Sequence, residues 1–412
     1  MVYKKRVNLD KALKCVIIAQ CFGLTSGVVF GNGFMASWFK ALGIPSAEVI
    51  FILALPSAVG AFSGIPAAYW ADRKGKLFVG NLGSVISAFG LGILALPAFF
   101  DFISPKTAAY AGVFFSSLGS SVFGSSWFGL IGPIIPKNYR GRFLGNLRIS
   151  WQFVNVVLSL TVVQLLADYK GSPSVFGWTL LVVMVLVLMR SIPYLMIPER
   201  PDSVEAHRST LLKSVMTLMK CRTYRNFVFY LFIFYFLTGS FASLSKMLQI
   251  DVLKLEDSVV VGIGTITFVG SIVGFYLGGQ IVDRLSTVKM FLTGQVVSAS
   301  LMLLIIAHLF IPGEMMLVSL VMFFFGLTGS AVGIASSAHL FAVMPHSNRS
   351  MGTTLAGVST AVALFLSSLI VSKITAVCGI FPVEDYSVYD ILIFIFGSSL
   401  VAALPAIKLL KR

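Results

Sequence analysis

The sequence predicts an all-α integral membrane protein whose twelve transmembrane helices form two pseudo-symmetric six-helix bundles. Three observations predict this fold class: the composition, the number and length of the apolar runs, and two loop patterns that each occur twice. Of the 412 residues, 57% are hydrophobic and 11% are charged, a balance that water-soluble domains do not have. The net charge of +15 does not predict nucleic-acid binding, because the basic residues lie in short loops beside apolar runs.

The apolar runs have the length that a helix needs to cross a hydrocarbon core of about 30 Å, which is about 20 residues. Six lie in the first half of the chain, at 13–38, 47–71, 77–100, 107–135, 143–167 and 175–197. Six lie in the second half, at 226–249, 258–281, 287–311, 314–343, 351–378 and 389–407. We number them span 1 to span 12. The first run is too long for a signal-peptide core, so we expect it to be a membrane helix.

A charged segment separates the two sets of six spans. We therefore predict an N-terminal six-helix bundle (1–198), a cytoplasmic linker (199–225) and a C-terminal six-helix bundle (226–412). Apolar residues recur at helical spacing within the linker, which predicts an amphipathic helix on the membrane surface. These residues are Leu211, Leu212, Val215, Met216 and Met219.

The distribution of basic residues predicts the topology. One side of the predicted membrane holds 25 of the 31 Lys and Arg residues, including both chain ends. By the positive-inside rule this side is cytoplasmic. We therefore expect a multi-pass protein of the cell (inner) membrane with both termini in the cytoplasm.

Two loop patterns recur at nearly the same distance along the chain. Asp72-Arg73, after span 2, recurs as Asp283-Arg284 after span 8, 211 residues later. Pro-x-x-x-Arg ends at Arg140 after span 4 and at Arg349 after span 10, 209 residues later. Two loops with one period predict a duplication of six helices, a design common among transporters.

These features together resemble the major facilitator superfamily over essentially the whole chain. Four residues after span 2 match the family's loop pattern Gly-x-x-x-Asp-Arg-x-Gly-Arg/Lys-Arg/Lys, namely Asp72, Arg73, Gly75 and Lys76. Ala68 stands where the family has Gly, and the second copy keeps only Gly279, Asp283 and Arg284. The region from Trp127 to Arg148 is similar to a bacterial subgroup whose substrates are poorly defined.

The resemblance implies a cytoplasmic gate that closes when the cavity faces outward. It places Asp72 at the start of span 11, near Arg349, and Asp283 at the start of span 5. The predicted gate residues are Asp72, Arg73, Gly75, Lys76, Arg140, Arg148, Asp283, Arg284 and Arg349. The alternative is that the basic residues only set the topology and that Asp72 is an ordinary helix cap.

The spans carry no Asp or Glu near their middle, and their few cations lie toward the span ends, namely Arg148, Arg190, Lys246 and Lys373. Neither a central proton-coupling carboxylate nor an Arg pair for a dianion is therefore expected. The family places spans 1, 4, 7 and 10 along a central cavity, with help from spans 5, 8 and 11. On these spans the substrate-binding candidates are Gln20, Thr25, Asn32, Ser121, Trp127, Gln152, Asn155, Tyr230, Tyr235, Thr238 and Ser336.

Several candidates have a competing structural interpretation. The serines are small residues that allow close helix packing. Gln152 and Asn155 lie three residues apart on one helix face and need polar partners, which favours a role in binding. His339 is the coupling candidate, because a histidine can titrate near neutral pH, but a lone histidine is more often a satisfied interface residue.

We therefore predict a secondary active or facilitative transporter that moves a small neutral, zwitterionic or amphipathic organic solute by alternating access. A multidrug-type exporter of lipophilic compounds and a sugar- or peptide-like importer both stay open. A non-transporting receptor or an intramembrane enzyme is the alternative from another class, although no catalytic motif and no nucleotide-binding P-loop occurs. The scattered cysteines predict neither disulfide nor metal site. We expect a monomer without cofactor, with the solute, the bilayer and a coupling proton or ion as partners.

Overall fold

The computed structural model describes residues 9–132, 134–135, 140–169, 172–199, 211–282, 285–344, 349–383 and 386–410. In these ranges the chain is helical apart from turns and one isolated bridge between Val383 and Tyr386. The helices of the first half are α1 (Leu9–Gly23), α2 (Thr25–Gly31), α3 (Phe34–Ala41), α4 (Ser46–Lys74), α5 (Lys76–Ala95), α6 (Pro105–Ile131), α7 (Arg140–Asp168), α8 (Pro173–Met189) and α9 (Ser191–Leu195).

The second half continues the same pattern. Its helices are α10 (Leu211–Lys220), α11 (Arg222–Thr238), α12 (Phe241–Met247), α13 (Asp257–Val282), α14 (Thr287–Leu304), α15 (Glu314–Val343), α16 (Arg349–Cys378) and α17 (Val388–Ala402). A π-helical turn, Leu248–Val252, extends α12. Two 3₁₀ segments, Ile305–Leu309 and Leu404–Leu410, follow α14 and α17.

Helices occupy all twelve predicted spans. Among the described residues, ten helices are long and apolar enough to cross a membrane, and α17 with the segment after it forms an eleventh, bent by 48°. The remaining span is covered by α6, which has 27 residues. The predicted fold class is confirmed. In the linker, α10 lies where the sequence predicts an amphipathic helix, whose place on the membrane surface stays a prediction; its Leu218 is buried against Tyr224 and Met344.

The chain forms two compact units. Unit 1 comprises Met1–Val28, Phe62–Leu158 and Phe176–His207, and unit 2 comprises Val29–Ala61, Ser159–Val175 and Arg208–Arg412. Two segments of the first sequence half therefore belong to unit 2. The division at the linker, which rests on the sequence repeat, stays a prediction.

Each unit contains one pair of helices whose backbones approach closely. In unit 1, α5 packs on α6, and a Cβ added at Gly119 would overlap the backbone of Ser87. In unit 2, α13 packs on α15, and a Cβ added at Gly274 would overlap the carbonyl of Leu327. Small residues allow this approach, which is how helices associate in lipid.

Two hydrogen bonds within unit 2 carry the period of the repeat. Asn32 Nδ2 donates to Ser159 Oγ at 2.6 Å, and Ser367 Oγ donates to Ser240 Oγ at 3.0 Å. Each bond joins residues 127 positions apart, and the second bond lies 208 residues after the first at both ends. The period is close to the 209 and 211 residues that separate the paired loops. The predicted duplication therefore gains support from contacts that the loops do not involve.

Spans 1 and 7 are both broken at these bonds. In span 1, α2 ends at Gly31 and α3 begins at Phe34. In span 7, α11 ends at Thr238 and α12 begins at Phe241. Helix breaks leave backbone groups without intrahelical partners, and neighbouring side chains satisfy them. Asn32 does this directly, because its Oδ1 accepts a hydrogen bond from Phe34 N at 3.1 Å.

Candidate functional site

The loop after span 2 is a tight turn between α4 and α5. Gly75 has a φ of +97°, a conformation that glycine adopts without strain. The amides at the start of α5 bind the carboxylate of Glu199, with Oε1 2.6 Å from Lys76 N and Oε2 3.4 Å from Leu77 N. A helix N-terminus favours a carboxylate in this position. The acid that caps α5 is therefore Glu199, at the end of span 6, whereas Asp72 is exposed in the last turn of α4.

The basic residues of this loop have unlike environments. Arg73 stacks over the Tyr69 ring, with Cζ 4.4 Å from the ring centroid. Lys76 is buried, and its backbone carbonyl accepts a hydrogen bond from Tyr194 OH at 2.9 Å. Lys76 therefore contributes to packing within unit 1 in addition to its charge.

The other predicted gate residues are described only in part. Arg148 is half-buried in α7. Arg140 and Arg349 are the first residues of α7 and α16, but their side chains lie outside the described part of the chain, as do Asp283 and Arg284. The gate contacts that the family resemblance implies stay predictions.

The amide pair on α7 has the strongest indication of a binding role. Gln152 and Asn155 are each 2% exposed, and Asn155 Nδ2 donates to Gln152 Oε1 at 3.4 Å. The prediction that they share one face is confirmed. Asn155 Oδ1 is buried, and no described residue donates a hydrogen bond to it. A buried acceptor in this state costs about 1–3 kcal/mol, so it is a position that a donor on a ligand would satisfy.

The other candidates in unit 1 stay predictions, and three of them make contacts within the protein. Trp127 is buried in a hydrophobic core shared by α1, α6, α7 and α9, where it stacks on Tyr194 at 6.2 Å between ring centroids. Ser121 accepts a hydrogen bond from Ser63 at 2.8 Å, which joins α4 to α6. Thr25 donates to the Phe22 carbonyl at 2.6 Å in its own span. Gln20 is half-buried on α1.

Arg190 was expected only to lie near a span end, but it is buried. Its Nε donates to Ser84 Oγ at 3.1 Å, and its guanidinium lies 3.6 Å from the centroid of the Phe123 ring. The side chain also passes over Gly23 so closely that a Cβ there would overlap it. Gly23 is the last residue of α1, and the carbonyls at a helix C-terminus favour a cation. Arg190 therefore stabilises the end of α1.

The aromatic and hydroxyl candidates of span 7 differ from one another. Tyr230 is buried and donates to Gln295 Oε1 at 3.1 Å, while Gln295 donates to the Leu400 carbonyl at 3.0 Å. This chain of bonds ties spans 7, 9 and 12 together, which favours a structural role for Tyr230. Thr238 donates to the Phe234 carbonyl one turn earlier. Tyr235 is half-buried beside Phe234 and keeps the binding role that the sequence predicts.

The candidates on span 10 separate in the same way. His339 is buried, and its Nδ1 lies 2.8 Å from Thr287 Oγ1. Its ring contacts Phe227 at 4.7 Å and Phe291 at 5.9 Å between centroids. These contacts favour the interface role over coupling. Ser336 is half-buried and stays a binding candidate. Asn32 uses both the Nδ2 and the Oδ1 of its amide in the break of span 1, which favours a structural role over substrate binding.

Sequence reasoning missed a buried cluster around Asp251, which consists of Lys40, Ser46, Asp251 and Tyr389. Asp251 Oδ1 lies 2.9 Å from Lys40 Nζ. Its Oδ2 accepts hydrogen bonds from Ser46 at 2.5 Å and Tyr389 at 2.7 Å. Lys40 also donates to Ser46 at 2.8 Å. The sequence placed Asp251 in a loop, since span 7 was expected to end at residue 249, but the π-helical turn continues the helix to Val252.

A second buried pair lies beside the cluster. His308 Nε2 is 2.8 Å from Asp390 Oδ1, and both side chains are almost fully buried. Asp390 Oδ2 accepts hydrogen bonds from the backbone and side chain of Ser387, which forms a capping box at the start of α17. Two carboxylates therefore bind the start of α17: that of Asp390, within the helix, and that of Asp251, from span 7.

Comparison with known proteins shows the family. The family model described as Major Facilitator Superfamily matches residues 16–368. No curated protein sequence matches the chain significantly.

Solved structures share the fold at low sequence identity. A mutant of the nucleoside transporter NupG aligns with a TM-score of 0.73 at 14% identity, over 98% of this chain and 100% of that chain. A D-xylose-proton symporter aligns with a TM-score of 0.74 at 13% identity, over 95% and 96%. A POT family transporter in complex with 5-aminolevulinic acid aligns with a TM-score of 0.71 at 15% identity, over 97% and 96%.

Proposed function

Since the chain belongs to the major facilitator superfamily, it is a multi-pass membrane transporter, and we propose that it moves a small organic solute through the cell membrane by alternating access. The intramembrane enzyme considered from the sequence is wrong, because the family match and the similar structures are transporters. The receptor and the multidrug-type exporter gain no support from these matches.

The observation that carries the proposed solute class is the amide pair Gln152 and Asn155. The unpaired Oδ1 of Asn155 is an acceptor in a buried position, so the solute that completes it carries a hydroxyl or amine donor. The names of the similar structures refer to a nucleoside, D-xylose and 5-aminolevulinic acid, all of which carry such donors. A polar solute of this kind also fits the sequence, which places no carboxylate near the middle of a span.

The Asp251 cluster is suited to hold one side of the transporter closed. Within unit 2 it joins Lys40 and Ser46, which flank the loop after span 1, to Asp251 and Tyr389 of the second sequence half. The predicted topology places all four residues at the extracellular ends of their spans. A second hydrogen bond also joins the two sequence halves within unit 2: Ser372 Oγ donates to the Ala47 carbonyl at 2.7 Å. We propose that these bonds close the extracellular side and break when it opens.

Counterflow in proteoliposomes tests the proposal. The purified protein is loaded with unlabelled D-xylose, uridine or dialanine, and uptake of the same labelled solute is measured. We expect at least one solute to exchange faster than in protein-free vesicles. Asn155→Leu should then lower kcat/KM for that solute by about 2- to 12-fold, the worth of one hydrogen bond of 0.5–1.5 kcal/mol.

The matched control is Gln164→Leu, an exposed amide on the same helix that donates to Asp168. It should exchange the solute at the rate of the unmodified protein. Equal rates for the Asn155 and Gln164 variants would remove the assigned role of Asn155. Exchange of none of the three solutes would count against the proposed solute class.

A further inference from the structure

Lys246 is a buried cation that has no carboxylate partner among the described residues. It lies in α12 of span 7 and is 8% exposed. Within the described residues its Nζ has one polar contact, the backbone carbonyl of Phe30 at 3.3 Å. Lys40, in the same unit, has the carboxylate of Asp251 at 2.9 Å. Within the described part of the chain, the charge of Lys40 therefore has a carboxylate partner and that of Lys246 does not.

The single contact of Lys246 does not account for its charge. Phe30 lies in the last turn of α2, and the break after Gly31 leaves its carbonyl without an intrahelical donor. A carbonyl is a dipole, whereas a buried ammonium needs a full negative charge or several strong acceptors to offset its lost hydration. Ionisable residues inside membrane spans are kept for function where no structural partner explains them.

A second unsatisfied group lies one turn further along the same span. Gln249 is 1% exposed, and its buried Oε1 has no hydrogen-bond partner in the described ranges. Its Nε2 donates to Ser245 Oγ at 3.1 Å, so the amide is held in place by its other end. Residues three apart on a helix are neighbours on its surface. As far as the structure describes the chain, span 7 therefore has, within one turn, a cation without an anion and an acceptor without a donor.

One kind of molecule would satisfy both Lys246 and Gln249. A carboxylate neutralises the ammonium, and a hydroxyl or amine close to that carboxylate supplies the missing donor. Broken helices commonly provide such sites in transporters, because their free backbone groups and nearby side chains face the solute.

We propose that Lys246 binds the carboxylate of the transported solute and that Gln249 Oε1 accepts a hydrogen bond from its neighbouring hydroxyl or amine. The proposal rests on the transport function proposed above and narrows its solute to a small hydroxy or amino acid. In this structure Lys246 is buried and its Nζ donates to the Phe30 carbonyl, so binding of the solute requires that this contact be replaced.

Thermal unfolding of the purified protein with three small probes tests the site. Lactate, lactamide and propionate are compared at equal ionic strength, because lactamide lacks the carboxylate charge and propionate lacks the hydroxyl. We expect lactate to raise the unfolding temperature most, since a ligand that binds the folded state stabilises it by mass action. In Lys246→Gln the apparent affinity for lactate should fall at least tenfold, to that for lactamide, whereas Lys246→Arg should keep the preference for lactate.

Two further variants separate the roles. Gln249→Leu should lower the affinity for lactate to that for propionate and keep the preference of both over lactamide. Lys373→Gln removes an exposed lysine from α16 of the same unit and should leave all three affinities unchanged.

The outcomes distinguish this site from the transport function. Equal effects of lactate and lactamide on the unmodified protein would overturn the carboxylate site, even if D-xylose or uridine still exchanges in counterflow. A Lys246→Gln variant that keeps the lactate preference would overturn it as well. Binding of lactate that depends on Lys246, together with no exchange of any solute, would support the site and count against transport.

Discussion

Replacement of Asp251 by asparagine should release the contacts that hold residues 40 and 46 against span 7. The substitution keeps the size of the side chain and removes its charge. The amide then faces either the Lys40 ammonium or the hydroxyls of Ser46 and Tyr389, all within 2.9 Å of the native carboxylate. If the amide NH2 faces Lys40, two donors meet; if it faces the hydroxyls, Lys40 keeps only a neutral carbonyl oxygen, so the ion pair is lost in both orientations.

The magnitude follows from the burial of the two ends. Breaking a buried ion pair costs about 3–5 kcal/mol. The Lys40 side chain is 25% exposed, whereas that of Asp251 is 5% exposed, so water partly solvates the lysine and the cost falls to about 2–3 kcal/mol. If the cluster is intact only in the closed state, this free energy raises the population of the open state by roughly 30- to 140-fold.

Cysteine labelling reads out this population. In a variant without the four native cysteines, Val260→Cys supplies a single thiol. The position suits the assay because Val260 is 1% exposed and lies against Gly33 in this structure. A membrane-impermeant maleimide added from outside should label it slowly, and Asp251→Asn should raise the labelling rate about as much as the open population. Glu256→Gln, an exposed acid five residues further on, should leave the rate unchanged.

A double-mutant cycle tests the cause. Lys40→Gln should accelerate labelling to a similar degree, and the double variant should be no faster than Asp251→Asn, because both changes break the same bond. A rate in Asp251→Asn equal to that of the parent would refute the reasoning. Rates that multiply in the double variant would show that the two residues act independently.

Three further predictions concern stability and pH dependence. Glu199→Gln should lower the free energy of unfolding by about 1–2 kcal/mol in a denaturant titration, since a carboxylate binds the start of α5, while Asp72→Asn should lower it less. Gly119→Ala should reduce the folded yield in a detergent size-exclusion assay, because its Cβ would overlap the backbone of the neighbouring helix; Gly124→Ala, with open space around it, should not. His339→Gln should leave the pH profile of solute exchange unchanged, because the ring packs and bonds within an interface, and a shifted profile would restore its predicted role in coupling.

The sequence predicts the helices and the duplication well, because both depend on local patterns. Apolar length determines the spans, and the repeated loops have nearly the same period as the pair of bonds from Asn32 and Ser240. Gln152 and Asn155 were also recognised, since two amides on one helix face need partners wherever that face lies.

The polar contacts between distant spans were not predictable in the same way. Asp251 was expected in a loop because the apolar run ends before it, and Lys246 and Arg190 were given no role because they lie near span ends. Their importance comes from burial, and burial depends on spans far away in the sequence. The buried carboxylate and Lys40, for example, are 211 residues apart. A pattern within one span cannot reveal such a partner.

The pair of bonds with equal spacing also bears on the order of events during synthesis. Asn32 enters the membrane with span 1, but Ser159 is made 127 residues later, which takes about 6 to 25 s at 5–20 residues per second. Until then Ser159 is not available to accept the hydrogen bond from Asn32 Nδ2 in the break of span 1. The same delay separates the synthesis of Ser240 from that of Ser367. A nascent chain that stops before span 5 therefore leaves its first span incomplete, and each half matures only when its fifth helix arrives.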